Sequence, residues 1–120
     1  MQSRILIVED DPLVSMMLED CLAALGREPV GPFDNVTAAL AKIEEGNVDA
    51  AIVDVHLGNG ETSEAIVERL NERGVAFVIT TGGFIAPPGS AYANHPILHK
   101  PFTISSLEKV LDEIDRAQKR

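Results

Sequence analysis

The sequence predicts an α/β fold in three layers, a central parallel sheet of five strands with helices on both faces, and three observations carry that expectation. Five short apolar runs alternate with segments of helical period along the 120 residues, the pattern of repeated strand–helix units. One run, Ala50 to Val53, is apolar without a break, as a central strand covered on both faces requires. Glycine closes each of the first three helical segments, at Gly26, Gly46 and Gly74, where a residue without Cβ ends a helix at little steric cost.

The elements follow in order. Ile5 to Val8 is the first strand, and Asp11 followed by Pro12 opens a helix that runs to about Leu25, an N-cap with proline in the first turn. Glu28 to Gly31 is a short second strand. Asn35 or Asp34 caps the second helix, in which Val36, Ala39, Leu40 and Ile43 repeat at helical period. Asp49 to Val55 is the third strand, and the loop from His56 to Gly60 leads to a third helix over about Thr62 to Arg73, with Ile66, Val67 and Leu70 inward. Val75 to Ile79 is the fourth strand, running into Thr80 and Thr81, and Ile97 to His99 is the fifth. Between them Gly82, Gly83, Pro87, Pro88, Gly89 and Pro96 oppose a regular helix. The fourth helix is therefore expected to be short or irregular, at best a turn around Ser90 to Asn94. Thr103 or Ser105 caps the last helix, with Glu108 placed for a capping box on Ser105. Ile104, Leu107, Val110, Leu111 and Ile114 form its inner stripe, and Asp115 to Arg120 is a polar exit.

Length and charge exclude several functions. A chain of 120 residues makes one domain with a real core and leaves no room for a second, and the polar ending favours a complete chain. With 19 acidic against 10 basic residues the formal net charge is −9, which repels nucleic acid and anionic membranes. No basic leader or membrane-length apolar run is present, so a cytoplasmic protein is expected. Cys21 stands alone among Met17, Leu18, Leu22 and Leu25, a helix core position rather than a reactive thiol. His95 and His99 share no metal-ligand spacing with each other or with a cysteine.

The chemistry gathers at strand ends. Asp54 ends the third run, and the first ends in Glu9, Asp10 and Asp11. As neighbouring parallel strands, their carboxyl ends form the edge where open α/β sheets bind ligands. Acids so crowded repel one another unless a cation neutralises them, and an oxygen-only ligand set favours Mg²⁺. The fourth and fifth strands deliver Thr80 or Thr81 and Lys100 to the same edge. Strand alternation sends the two threonines to opposite sides, and Thr81, last before glycine, is the favoured one. Asp11 fits a helix cap better than a ligand. Carboxylate nucleophile, metal-binding acids, hydroxyl and ammonium make a kit for accepting a phosphoryl group.

Ile5-Leu6-Ile7-Val8-Glu9-Asp10-Asp11, Asp54 and Thr81 each closing a strand, and Lys100-Pro101-Phe102 together resemble the receiver domain of two-component response regulators, over essentially the whole chain. The resemblance implies the flavodoxin-like (βα)5 fold. It implies Asp54 as phosphoacceptor, Asp10 as direct metal ligand, Glu9 as ligand through water and the main-chain carbonyl of His56 as the remaining ligand. Thr81 matches the hydroxyl that moves toward the phosphoryl group, and Lys100 pairs with its oxygens, before a Lys-Pro peptide that is often cis in receivers. The motif from Phe77 to Gly83, the loop from Leu57 to Ser63 and the proline-broken fourth helix are similar to a stand-alone alphaproteobacterial group called FAT GUY, with Ile79-Thr80 where Phe-Ala is usual. Ile97 stands where many receivers carry a switching Tyr or Phe; Tyr92 or Phe84 could play an analogous part.

Residues 1–120 are thus expected to form a single receiver domain, a monomer or weak dimer. A histidine kinase or histidine phosphotransferase phosphorylates it in a phosphorelay. It acts by protein contact or as a phosphate shuttle or sink, and catalyses only its own phosphorylation and dephosphorylation. Phosphorylation is expected to order the Gly83 to Pro96 segment through Thr81. The alternatives are a Mg²⁺-dependent aspartyl-phosphate phosphohydrolase, for which His56 stands where a second acid is usual, and a degenerate receiver serving as a constitutive binding module.

Overall fold

The computed structural model describes residues 3–82, 92 and 95–118. Its strands are β1 (Arg4–Val8), β2 (Glu28–Phe33), β3 (Ala50–Asp54), β4 (Ala76–Thr81) and β5 (Ile97–His99), and its helices α1 (Pro12–Ala24), α2 (Val36–Glu45), α3 (Glu64–Glu72) and α4 (Ile104–Gln118). The strands form one sheet in the order β2-β1-β3-β4-β5, every neighbouring pair parallel. This is the doubly wound flavodoxin-like fold expected. The expected irregularity of the fourth helix and the ordering of Gly83 to Pro96 lie largely outside the described residues.

Alternation along the strands divides the core in two. Leu6, Val8, Ala51, Val53, Phe77 and Ile79 pack with Ala39 and Ile43 of α2 and Ile66, Val67 and Leu70 of α3. Ile5, Ile7, Ala50, Ile52, Val78 and Leu98 pack on the other face with Leu18 and Leu22 of α1 and Leu107, Leu111 and Ile114 of α4. β3 has all five residues buried, so its unbroken apolar run is the price of a position covered on both sides. Each large side chain so buried contributes roughly 1.5–3 kcal/mol, which makes the sheet the rigid base of its own carboxyl edge. Cys21 packs against the α1–α4 core, partly buried. Among the described residues, no helix is long and apolar enough to cross a membrane.

Local chemistry sets the ends. Asp11 caps α1, its carboxylate accepting from Leu13 N–H at 2.9 Å. For α2 the cap is Asn35 rather than Asp34, with Oδ1 accepting from Ala38 N–H at 2.8 Å. Of the two caps expected for α4, Thr103 is the one used, without the box of Ser105 and Glu108. Thr103 Oγ1 accepts from Ser106 N–H at 3.1 Å, and Ser106 Oγ accepts from Thr103 N–H at 3.0 Å, a reciprocal pair closed by serine in place of glutamate. β2 runs two residues past the expected Gly31, with prolines at 29 and 32. It is an edge strand that pairs only with β1, and an edge tolerates proline. Gly31 is required there: its φ is +107°, and a Cβ would meet Phe33 Cδ2 at 2.9 Å and Ile7 O at 3.0 Å. α3 starts later than Thr62, because Thr62 bridges His56 in antiparallel fashion.

Candidate phosphoryl-acceptor site

β1 and β3 are adjacent and in register to Val8 opposite Val53, so the residues that follow stand level at the edge. Glu9, Asp10 and Asp54 each offer an oxygen, and these atoms lie within 4.8 Å of one another. Glu9 and Asp54 are buried and Asp10 is exposed, which gives the cluster a closed floor and an open mouth. Asp11 stands outside it as the helix cap.

Lys100 enters from β5 across β4. Its backbone N–H donates to Thr81 O at 2.9 Å, fixing the stem, and the Lys100–Pro101 peptide is cis. The ammonium hydrogen-bonds Asp54 Oδ2 at 2.9 Å and lies 2.9 Å from Glu9 Oε1 as an ion pair. Burial pushes the Glu9 carboxyl up to about 7, with Lys100 and the Asp11 N–H, which donates to Glu9 Oε2 at 3.1 Å, opposing and Asp54 adding to the rise. For Lys100, burial works against the charge, yet Glu9 and Asp54 outweigh it and hold the ammonium above the ordinary lysine range. The site is therefore an anionic crevice with one built-in cation, into which further positive charge is drawn.

The turn from β3 to α3 is tightly closed. Leu57 N–H donates to Glu61 O at 2.9 Å, Glu61 N–H to Gly58 O at 3.3 Å and Ser63 N–H to Val55 O at 2.9 Å. The loop returns over the acids, since a Cβ on Gly58 would stand 3.6 Å from Asp10 Oδ2. The His56 side chain is exposed, as expected. Thr80 is in register with Asp54 and shares the parity of Val78, toward α1 and α4; its hydroxyl is buried with no hydrogen-bond partner among the described residues. Thr81 shares the parity of Phe77 and Ile79, toward α2 and α3, and is also buried. Glu9, Asp10, Asp54 and Lys100 are thus brought together, while Thr81 and His56 stand at adjoining chain ends.

Two features escaped sequence reasoning. Ser63 and Tyr92 join their hydroxyls at 2.9 Å inside the α2–α3 core, and His95 stacks on Phe77 with ring centroids 3.7 Å apart while its Nε2 meets Asn71 Oδ1 at 2.9 Å. Nothing in local spacing relates residues so far apart. The only signal was that the sole tyrosine lies among turn-forming residues. His95 is thereby tied to the fold, and among the described residues it belongs to no metal-ligating group.

A doubly wound parallel sheet brings three acids and a lysine together at its carboxyl edge, and the chain belongs to the response regulator receiver domain family, which it matches over residues 5–112. Among similar solved structures is the solution structure of SdrG from Sphingomonas melonis Fr1, 47% identical, covering 92% of this chain and 94% of that chain, with a TM-score of 0.83. The BeF3-activated conformation of SdrG from Pseudomonas melonis Fr1 is 46% identical, covering 95% and 98%, with a TM-score of 0.79. A third, the receiver domain of sensor histidine kinase PA1611 from Pseudomonas aeruginosa PAO1 with a magnesium ion in its active site cleft, is 22% identical, covering 94% and 97%, with a TM-score of 0.81, and bears on the fold alone. No curated protein matches the chain.

Proposed function

We propose that residues 1–120 act as a single receiver unit that takes a phosphoryl group onto Asp54 from the phosphohistidine of a histidine kinase or phosphotransferase. An Asp54 oxygen attacks phosphorus, the P–N bond breaks, and the donor imidazole leaves with the electron pair and takes a proton from solvent. The product is an acyl phosphate. Lys100, already 2.9 Å from Asp54 Oδ2, is placed to follow the new phosphoryl oxygens, and Thr81 is the hydroxyl assigned to one of them. Asp10, Asp54 and the His56 carbonyl would hold Mg²⁺ directly and Glu9 through water, a sparse oxygen set that suits an ion that keeps much of its hydration. Mg²⁺ bound there supplies positive charge for the phosphoryl oxygens.

The observation that carries this reading is the convergence of Glu9, Asp10 and Asp54 within 4.8 Å, with the Lys100 ammonium on the proposed nucleophile. A place for a protein donor adjoins it. A groove of about 350 Å³ lined by Leu13, Val14, Met17, Lys100, Pro101 and Phe102 opens beside the crevice, and Leu13, at 78% exposure, presents apolar surface that a donor helix would cover. The phosphorylated chain then signals by protein contact or passes the group on as a shuttle or sink, in the manner of the stand-alone FAT GUY receivers that its 77–83 motif resembles. The test is intact mass after incubation with a small phosphodonor and Mg²⁺. Wild type should gain the mass of one phosphoryl group and Asp54→Asn none, and a gain in the variant would remove Asp54 as nucleophile.

A further inference from the structure

Strand β5 carries no group able to sense the crevice through a hydroxyl. Ile97 is aliphatic and 41% exposed. Tyr92, which lies in the connection between β4 and β5, is instead 3% exposed and sits in the α2–α3 core. Its hydroxyl meets Ser63 Oγ at 2.9 Å, and Ser63 Oγ reaches Val55 O at 3.3 Å. A carbonyl only accepts, so the Ser63 proton points to Val55 and the phenol donates to Ser63. Val55 adjoins Asp54 and is pinned through N–H to Thr80 O at 3.1 Å and through O by Ser63 N–H at 2.9 Å. Ser63 directly follows Thr62, the bridge partner of His56. The chain around Asp54 and His56 is therefore tied through Ser63 to one buried tyrosine.

Resting on the phosphoacceptor reading of Asp54, we propose that Tyr92 and Ser63 are positioning residues that hold the β3–α3 loop in place for the cation and couple occupancy of the crevice to the β4–β5 connection. Ser63 is fully buried. A hydroxyl there that lost its partner would stay unsatisfied, so a shift of the loop when its carbonyl takes up a charge carries the ring with it.

The chain contains one tyrosine and no tryptophan, so absorbance and emission excited at wavelengths beyond the phenylalanine band report Tyr92 alone. Beryllofluoride with Mg²⁺ should shift the tyrosine signal of wild type, while fluorine NMR records the bound mimic. Ser63→Ala should still bind the mimic but lose most of the shift; Val55 O keeps the Ser63 N–H, so the loop has no new orphan carbonyl. Tyr92→Phe, which keeps the ring in the core, should weaken Mg²⁺ binding about fivefold by calorimetry, the scale of one lost hydrogen bond. Mimic bound with the tyrosine signal unmoved, or a full shift in Ser63→Ala, would overturn the coupling; unchanged Mg²⁺ affinity in Tyr92→Phe would overturn the positioning role. Failure of wild type to bind the mimic would instead sink the Asp54 reading, and this proposal with it.

Discussion

Glu9 is the residue at which fold and chemistry pull in opposite directions. Its carboxyl is raised by burial from 4.5 to about 7, so the folded crevice holds a proton that the unfolded chain releases. Stability from this group is full below about pH 4.5 and is lost as pH rises through about 7, an effect on the order of 3 kcal/mol across the window. Metal-free protein should therefore unfold at lower denaturant near neutral pH than near pH 5, and Glu9→Gln should flatten that difference. Urea titrations at the two pH values, wild type beside variant, measure it, and an equal slope in both would clear Glu9 of responsibility. Cation binding should run the other way, strengthening with pH because Mg²⁺ needs the carboxylate. That Glu9, Asp10 and Asp54 would meet was legible from strand ends alone. How deep each would lie was not, because the burial of Glu9 depends on Lys100 arriving from the far side of β4.

At the scale of elements, structure was legible where one periodicity dominated and ambiguous where two signals competed. The β3 run and the α1 opening at Asp11-Pro12 leave little choice. Around α4 both Thr103 and Ser105 satisfy the composition of a cap, and Glu108 favours Ser105 on paper. The helix begins at Ile104, directly after Phe102 is anchored in the core, and only Thr103 then precedes it. Thr103→Ala should cost about 1 kcal/mol, and Ser105→Ala, an interior position, close to nothing. Chemical denaturation of the pair separates them, and the reverse ranking would restore the Ser105 box. β2 runs two residues past the expected Gly31, and as an edge strand it tolerates the prolines that a central strand would not.

For the molecule as a whole, the alternation of strands and helices foretold a sheet covered on both faces, but not which helices would share a face with which strand residues. It could not foretell Tyr92, since no period governs a segment dense in proline and glycine. The global consequence of the acid cluster is a ligand-dependent stability. A cation that binds only the folded crevice should raise the melting temperature saturably, worth about 2.7 kcal/mol at a hundredfold excess over Kd. Asp10→Ala should remove most of the rise. Scanning calorimetry in EDTA and in millimolar Mg²⁺ reads it directly, and superimposable curves for wild type would refute the site.

The sheet also partitions traffic. The apolar groove of Leu13 and Met17 opens on the α1–α4 side, whereas Ser63 and Tyr92 belong to the α2–α3 side. A donor seated at one and a recipient attracted to the other would not compete for room, so receipt and broadcast could overlap in time within one ternary assembly. Leu13→Glu should then slow transfer from a phosphorylated protein donor yet leave the beryllofluoride response of Tyr92 as in wild type. Loss of that response in the variant would mean that the two faces are not independent ports.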